Sequence, residues 1–290
     1  MMDQIAEVDR FPEEDDEVFV PRLQYMPGGS AANFAVFCSR LGFESGFMGK
    51  VGKDALGDQL VIDLHKEGVS IDGVPRSRYP TGTVFVAVRS DGQRSMYAFS
   101  GAANDLKNMD IDTKYLKTFD HLHLADLENI DVLQFAADKF DGTVSLNAGA
   151  LIAEKRIAAR DLISKCDIFI CSEEEAKKIT DLKSAKDALK SLHKMGAKIA
   201  VMTKGSNSPW AYDGRHITGA PTFKVPVVDT TGAGDSFSAG FVCHYLKTKD
   251  IKDSLRFANA TASIVIQNQG ARGGLKNWKQ VERVLKNEAR

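Results

Sequence analysis

The chain has 290 residues, of which 43% are hydrophobic and 27% are charged, and its net charge is −1. This length can bury a sizeable core in one large or two smaller domains, and the balanced charge does not indicate nucleic acid or an anionic membrane as the main partner. No apolar stretch reaches the length of a membrane span, and no signal peptide is visible. The four cysteines are scattered, as is typical of buried thiols in a reducing cytoplasm, so we expect a cytoplasmic protein.

The first 26 residues begin without a clear strand. Ile5 and Val8 are apolar, but no full strand precedes Asp3. A turn at Phe11-Pro12 leads into a run of acidic residues, which we interpret as a solvated surface segment. Apolar residues at positions 18, 20 and 23 then indicate a short strand.

A glycine pair opens the first predicted helix. Pro27-Gly28-Gly29-Ser30 precedes an apolar stripe at three-to-four-residue spacing, and we predict Ser30 as the helix N-cap. Asn33 falls in the first turn, where its side-chain amide can both donate a hydrogen bond to a hydroxyl and accept one. The segment is either a ligand-binding turn or an ordinary helix that begins at glycine.

Residues 81–100 predict a β-hairpin. Residues 81–89 alternate and are rich in β-branched side chains, Asp91-Gly92 lies at the centre of the turn, and residues 95–100 form the returning strand. Elsewhere strands and helices alternate, which favours a doubly wound, mostly parallel sheet. We therefore assign residues 11–26 and 75–100 to a small β lid, and residues 1–10, 27–74 and 101–290 to an α/β core.

Polar residues follow several predicted strands of the core, where the ligands of open α/β sheets collect. His121 and His123 share one face of a strand that ends before Asp126 and Glu128. Zinc would need a third ligand, such as Asp126, and alternating polar positions on a strand are common, so we assign no metal to the histidines. A later strand leads into an acidic helix start at Ser172, a position that the helix dipole favours in any case.

The most informative stretch is Gly232-Ala233-Gly234-Asp235. We predict that the apolar run from Phe223 to Val228 is the end of a strand, and that a helix follows because apolar residues recur at helical spacing after Ser236. Free N–H groups at such a helix N-terminus form an anion site. A carboxylate there would repel a resting phosphate, but Asp235 could accept a proton from a hydroxyl that attacks the phosphate. The alternative is a tight glycine turn with Asp235 as a helix cap.

Two motifs carry a resemblance to a known family. DTTGAGDSF, from Asp229 to Phe237, closely resembles the C-terminal signature of the ribokinase (PfkB-type) family of carbohydrate and nucleoside kinases, and PGGSAANFAVFCSRLG resembles its N-terminal signature. The resemblance covers nearly the whole chain from Asp3. It implies a ribokinase-like fold, in which helices sandwich the sheet and a small β-sheet lid covers the sugar site. It also implies transfer of the γ-phosphoryl group of ATP to a hydroxyl, usually a primary one, of a small sugar.

The resemblance further implies roles for the residues that match the family's motifs. Asp235 would be the catalytic base, and the backbone amides of Gly232, Ala233 and Gly234 would stabilise the phosphoryl oxygens. The substrate would be bound by Asp3, Gly28, Gly29, Asn33 and Glu128. The chain departs from the family in two places: the strand that usually ends in this Asp is not found before Asp3, and Ser30 stands where ribokinases proper have Lys.

On the nucleotide side, the resemblance implies that ATP is bound by Ser172, Glu175, Thr203, Gly205, Asn259 and Gly270. Ser172 stands in place of the family's Asn, and Glu175 would organise Mg²⁺ and the phosphates through water. Asp229, with the loop at Gly270, would hold a monovalent cation such as K⁺, as it does in some members. The expected cofactors are therefore ATP and Mg²⁺, with K⁺ as an addition.

Other nucleotide-binding classes require motifs that this chain lacks. A P-loop kinase needs GxxxxGK[ST], and a Rossmann dehydrogenase needs GxGxxG after an early strand, which GGSAAN does not supply. Two alternatives stay open: a nucleoside kinase of the same family, and a non-catalytic sugar- or nucleotide-binding regulator that has kept the fold, against which Asp235 argues. Exposed edges of the lid could also pair across a homodimer.

Overall fold

A computed structural model describes residues 1–91 and 93–288 of the chain. Gly92, in the predicted hairpin turn, and residues 289–290, in the predicted C-terminal helix, lie outside the described residues. The strands are β1 (Met2–Val8), β2 (Arg22–Pro27), β3 (Ser45–Met48), β4 (Val51–Gly52), β5 (Val69–Gly73), β6 (Arg76–Ser77), β7 (Thr83–Arg89), β8 (Arg94–Phe99), β9 (His121–Ala125), β10 (Thr143–Asn147), β11 (Ile168–Ser172), β12 (Ile199–Lys204), β13 (Asn207–Tyr212) and β14 (Ile217–Gly219). The α-helices are α1 (Ser30–Arg40), α2 (Ala55–Lys66), α3 (Thr113–Leu116), α4 (Ile130–Asp138), α5 (Ala150–Glu154), α6 (Arg156–Ile163), α7 (Glu173–Thr180), α8 (Ala185–Lys194), α9 (Ala233–Thr248), α10 (Ile251–Val265) and α11 (Trp278–Glu288), and Gly101–Asp105 and Asn108–Asp110 form short 3₁₀ helices.

Six strands form the main sheet, in the order β14-β13-β12-β11-β10-β9. Strands β9 to β12 run parallel, and β13 and β14 continue the sheet antiparallel. Parallel strands are usually covered on both faces. Strand β11 is continuously apolar because side chains on both of its faces are buried. Phe169 packs into the core on one face, whereas Ile168 and Ile170 pack into the core on the other. The fold class predicted from the sequence, a mostly parallel sheet sandwiched by helices, is confirmed.

The two cores divide the helices between the faces of the sheet. Helices α6 and α8 contribute Leu162 and Leu189 to one core, and helices α1, α9 and α10 contribute Phe37, Phe241 and Phe257 to the other. Helices α1 and α9 pack against each other, and a hydrogen bond between Asn33 and Asp235 joins their first turns, so the glycine turn before α1 and the GAGD turn before α9 lie near one another. Within the described residues, no helix combines the length and the apolarity needed to cross a membrane.

Two short parallel pairs, β3 with β5 and β4 with β6, lie apart from the six-stranded sheet. Among the described residues, β3 and β9 form no ladder with each other, and both line a cavity of about 300 Å³ that α1 also lines. The wall is mostly apolar, with Phe34 and Phe47 among its residues, but Gly28, Gly29 and Arg272 also line it. The cavity therefore adjoins the glycine turn before α1.

A separate four-stranded sheet, which we call the lid sheet, has the order β2-β1-β7-β8. Strand β1 pairs parallel with β7 and antiparallel with β2, and β8 pairs antiparallel with β7. Our assignment of residues 1–10 to the core is therefore wrong for Met2–Val8. The hydrogen bonds of β1 go to lid strands, and only Met2, Ala6 and Val8 are buried, which is the one-faced pattern of a sheet that covers a core. The other boundaries between core and lid stay predictions.

Two local predictions are also wrong. Gly29, with φ 91°, occupies the N-cap position of α1, and Ser30 is the first helical residue. The run from Phe223 to Val228 forms no strand. Its end is fixed instead by the C-terminal end of α10, because the N–H groups of Val228 and Asp229 both donate to the carbonyl of Ile266.

Candidate active site

The GAGD motif lies where the sequence predicts, at the N-terminus of α9. Gly232 is the N-cap in the left-handed conformation (φ 76°), and a Cβ there would overlap the carbonyl oxygen of Ala271, so only glycine fits. At Gly234 a Cβ would meet no atom within 4 Å, so the backbone is open to a ligand. The N–H of Ser236 makes the first intrahelical bond, to the carbonyl of Gly232 (2.9 Å). The N–H groups of Gly234 and Asp235 precede it and have no intrahelical acceptor.

Asp235 is buried beside the first turn of α1. Its Oδ2 accepts a hydrogen bond of 2.8 Å from Nδ2 of Asn33. Burial raises the pKa of Asp235, and hydrogen bonds from Asn33 and Ser30, together with the charge of Arg272, oppose that rise. A buried carboxylate with a raised pKa is a stronger proton acceptor than an exposed one.

Asn33 is itself held by a residue that the sequence did not single out. Its Oδ1 accepts a hydrogen bond of 2.8 Å from Nε of Arg272, and the guanidinium of Arg272 forms an ion pair with Asp63 of α2. Arg272 follows Gly270-Ala271 directly, but no local pattern relates it to a residue 239 positions away. The signal that could have found it is a charged residue in an otherwise small and apolar loop.

Asp3 also lies at this site, from the first strand of the lid sheet. A Cβ on Gly28 would press against the Asp3 carboxylate, so the glycine turn and this side chain are in direct contact. Burial raises the pKa of Asp3 to about 6, and the carboxylates of Asp235 and Asp229 add to the rise. The structure thus brings Asp3, Gly28 and Asn33 together around Asp235.

Glu128 is not part of this group. It is exposed and does not line the cavity beside the glycine turn, and its backbone carbonyl accepts a hydrogen bond from Lys155. Asp126 lies closer to the sheet, and its carboxylate accepts hydrogen bonds from the N–H groups of Leu151 and Ile152 at the start of α5. The chain turns away from the sheet after β9. The side chain of Asp126 therefore lies at the strand end, whereas that of Glu128, two residues later, lies in solvent.

Ser172 and Glu175 form a capping box at the start of α7. The Ser172 hydroxyl accepts from the N–H of Glu175 (3.2 Å), and Oε2 of Glu175 accepts from the N–H of Ser172 (2.8 Å). Burial raises the pKa of Glu175, and the carboxylate of Asp126 adds to the rise. Asp126 follows β9 and Glu175 follows β11, so both carboxylates lie toward the carboxyl edge of the sheet, and carboxylate oxygens are donors that fit Mg²⁺.

Of three other predicted nucleotide-side residues, Thr203 and Gly205 lie at the end of β12, whereas Asn259 lies within α10. Thr203 pairs with Ser172 across β11 and β12, so both lie at the carboxyl edge of the sheet. Gly205 follows with φ 58° and open space around it. Asn259 differs, because its buried amide donates to the carbonyl of Pro221 (2.7 Å) and thereby holds the loop before the GAGD motif.

Asp229 has a positively charged partner from the lid. Its carboxylate accepts hydrogen bonds from Thr231, from the N–H of Gly270 (2.9 Å) and from Nη2 of Arg94 (2.9 Å). Burial alone would raise the pKa of Asp229, but these hydrogen bonds and the Arg94 charge hold it below its usual value. Both carboxylate oxygens are used and the charge is balanced, so the arrangement does not fit the monovalent cation that the sequence suggested.

The histidines of β9 have a structural explanation. His121 and His123 both contact the hydroxyl of Ser145, at 2.8 and 2.7 Å, and His123 stacks on Phe34. Burial lowers the pKa of His121 to about 4, so its ring is neutral at neutral pH. In the part of the chain that the structure describes, no group of three or more His, Cys, Asp or Glu side chains could hold a metal ion.

Comparison with known proteins identifies the family. The pfkB family of carbohydrate kinases matches residues 1–278. The chain belongs to the PfkB family. This membership makes the chain an ATP-dependent sugar or nucleoside kinase, and the expected kinase class is confirmed.

Individual PfkB relatives extend the comparison over the whole fold. The chain is 34% identical to an uncharacterised sugar kinase from Archaeoglobus fulgidus, over 82% of this chain and 97% of that one. It is 30% identical to a nucleoside kinase from Methanothermobacter thermautotrophicus, over 92% and 87%. The crystal structure of ribokinase from Thermotoga maritima superposes with a TM-score of 0.91, at 27% identity and over 99% and 96% of the two chains. The ribokinase-like fold is thereby confirmed.

Proposed function

We propose that this PfkB kinase transfers the γ-phosphoryl group of ATP to a primary hydroxyl of a small sugar, with Asp235 as the base. The observation that supports it most directly is the buried hydrogen bond between Asn33 and Asp235 at the N-terminus of α9. A proton acceptor, an amide that can bind hydroxyls and free N–H groups then lie at one point. Asp3 and Gly28 complete the acceptor side of this site.

The transfer needs one proton movement and one exchange of bonds at phosphorus. The substrate oxygen bonds to the γ-phosphorus, the bond from that phosphorus to the bridging oxygen of ATP breaks, and the hydroxyl proton passes to Asp235. The N–H groups of Gly234 and Asp235 and the dipole of α9 stabilise the charge on the phosphoryl oxygens. Gly232 and Ala233 shape the turn that exposes those groups.

We assign the nucleotide to the carboxyl edge of β11 and β12, at Ser172, Glu175, Thr203 and Gly205, with Gly270 beside Asp229. Open backbone at Gly205 and Gly234 supports this assignment, because phosphates approach main-chain N–H groups closely at glycine. Mg²⁺, when bound, would neutralise charge on the nucleotide phosphates, and the oxygens of Glu175 and Asp126 suit it directly or through water. Potassium has no place in the proposal, because Arg94 already balances Asp229.

The acceptor is the part of the proposal that a substrate panel tests. The assay couples ADP formation to NADH oxidation with ribose, fructose, 2-keto-3-deoxygluconate, adenosine, cytidine and inosine as acceptors. We expect the highest kcat/KM with a sugar. The second candidate is a nucleoside kinase, which the similarity to the Methanothermobacter enzyme favours. Turnover of nucleosides alone would replace the first candidate by the second, and turnover of none would contradict both.

We also propose that the lid sheet pairs in a homodimer. Its two edge strands, β2 and β8, expose apolar side chains, with Met96 65% and Tyr97 68% exposed. Sedimentation velocity should show a dimer for the wild type and a monomer for Tyr97→Asp. Ile157, 85% exposed on α6, provides the matched control, since Ile157→Asp should leave the dimer intact. A monomeric wild type would contradict the proposal.

A further inference from the structure

Arg272 connects the acceptor side of the site to the rest of the fold. Its side chain is only 8% exposed, and it lies in the loop after Gly270-Ala271. Nε donates to Oδ1 of Asn33 (2.8 Å), and Nη1 pairs with Asp63. Its second terminal nitrogen, Nη2, is buried and has no hydrogen-bond partner among the described residues. A buried cation thus touches Asn33 from the side opposite to Asp235.

The chemistry of these three side chains fixes the orientation of the Asn33 amide. A guanidinium only donates hydrogen bonds, and an ionised carboxylate only accepts them. An amide between them satisfies both only if its oxygen faces Arg272 and its nitrogen faces Asp235, which is the arrangement observed. The reverse orientation would place the amide oxygen against the carboxylate and the amide nitrogen against the guanidinium. Without Arg272, one of the two contacts that select the orientation is lost.

We propose that Arg272 is a positioning residue for the phosphoryl transfer: it holds the Asn33 amide with its nitrogen toward Asp235 and thereby fixes the base. This proposal rests on the proposed role of Asp235. Arg272 is also one of the residues that line the cavity beside Gly28, although its Nη2 is buried. The proposed contribution of Arg272 to the rate therefore passes through Asn33.

Several charged groups surround this network, and they decide what loss of Arg272 does to Asp235. Asp3 lies on the side of the lid sheet, whereas Asp63 and Glu67 lie at the C-terminal end of α2 and Arg40 at the end of α1. Arg272 opposes the rise that burial causes in the pKa of Asp235. Removal of its charge leaves Asp3 and Asp63 without that cation, so the pKa of Asp235 rises further. A base with a higher pKa loses its proton only at higher pH.

Arg40 offers a matched control, because it anchors the same loop without touching Asn33. Its Nη1 donates to the backbone carbonyls of Arg272 and Leu275, and its guanidinium pairs with Glu67. Arg40→Met therefore removes one partly buried arginine and loosens the loop, as Arg272→Met does. Only Arg272→Met removes the contact to the amide.

The test is a double-mutant cycle of Arg272→Met with Asn33→Ala, measured as kcat in a coupled assay at pH 9 on the substrate that the panel identifies. We expect Arg272→Met to lower kcat about tenfold in the wild-type background and less than about twofold in the Asn33→Ala background. In a profile of kcat/KM against pH, the acid limb of Arg272→Met should lie about one pH unit higher than that of the wild type. Arg40→Met should lower the unfolding midpoint without moving the limb. Should Arg272→Met fail to fold, Arg272→Gln and Arg272→Lys replace it, and we expect the limb to move in the former only.

Additive losses in the cycle, or an acid limb that stays in place, would show that Arg272 only supports the loop and would overturn the proposal. Failure of the underlying mechanism has a different signature. If Asp235→Asn turned over at the wild-type rate, the base would be wrong whatever Arg272 does. If Asp235→Asn were inactive and the losses of kcat in the Arg272 cycle were additive, the assignment of Asp235 as the base would be supported. The positioning role of Arg272 would then be contradicted.

Discussion

Arg94, in lid strand β8, donates a hydrogen bond of 2.9 Å to Asp229, at the start of the motif that ends in the proposed base. A second nitrogen of the same guanidinium donates to the hydroxyl of Thr231 (3.0 Å). One arginine therefore ties the lid sheet to the loop that forms the anion site. The guanidinium also places a positive charge beside Asp229, where the sequence suggested a monovalent cation.

We predict that Arg94→Met lowers kcat/KM by roughly tenfold, the cost of one charge-assisted hydrogen bond that orders the loop. The free energy of unfolding should change by less than about 1 kcal/mol, because the ion pair is partly exposed. Steady-state kinetics and urea unfolding measure the two effects. Arg22→Met is the control, since Arg22 pairs with Glu7 elsewhere in the lid sheet. Equal losses in both variants would point to general damage to the lid.

The same ion pair predicts the response to potassium. The wild type should turn over equally in potassium chloride and in sodium chloride, because the Arg94 guanidinium fills the charge requirement at Asp229. Arg94→Met leaves this carboxylate without a cation and should become faster in potassium than in sodium. Initial rates in the two salts, measured at constant ionic strength, test this prediction. Stimulation of the wild type by potassium would contradict it.

Substitution of the proposed base gives the most direct test of mechanism. Asp235→Asn keeps the size and burial of the side chain but cannot accept the proton, so kcat should fall by at least about 10²-fold. Nucleotide binding should stay near normal, as measured by isothermal titration calorimetry. Asp141→Asn, at a side chain that is 84% exposed, is the matched control. Turnover of Asp235→Asn near the wild-type rate would refute the assignment.

The raised pKa of Asp3 predicts a trade-off between stability and activity. The pKa of Asp3 is about 6 in the fold against an ordinary value of 3.8, so between these two pH values the folded protein binds more protons than the unfolded one and loses stability as pH rises. Asp3→Asn should therefore stabilise the fold at pH 8 by up to roughly 3 kcal/mol, less at pH 5 and not at all below pH 3.8. Urea unfolding against pH measures this. Asp9→Asn, at an exposed residue, should show no such trend, and the activity of Asp3→Asn should fall.

Two glycines of the GAGD turn should respond differently to alanine. Gly232→Ala forces a positive φ and overlaps the Ala271 carbonyl, so it should cost at least about 1 kcal/mol of unfolding free energy and most of the activity. Gly234→Ala meets open space within a helix, so stability should be kept or raised. Its KM for ATP should nevertheless rise, because the new methyl group occupies the space assigned to the phosphates. Unchanged KM in Gly234→Ala would remove Gly234 from the nucleotide site.

Local sequence patterns predicted several residues of the candidate site. The role proposed for Asp235 was inferred from its place after two glycines at a predicted helix start, and the structure has that helix at Ala233–Thr248. Asn33 likewise lies in the first turn after Gly28-Gly29. The position of Glu128 could not be predicted, because a side chain just past a strand end changes direction with each residue of the turn. The cation expected at Asp229 stays a prediction, and the Arg94 contact to Asp229 could not be predicted because Arg94 lies 135 positions away in the sequence.

The sequence by itself determined the alternation of strands and helices, the buried character of strands such as Ile168–Ser172 and the presence of a helix N-terminus at GAGD. These features depend on contacts within one element or one turn, which residue spacing encodes. Only the tertiary structure decided that Met2–Val8 joins the lid sheet. It also decided that Arg272 contacts Asn33 and that Arg94 contacts Asp229. Strand pairing and long side chains join distant parts of the chain, and no local periodicity records which partner they will find.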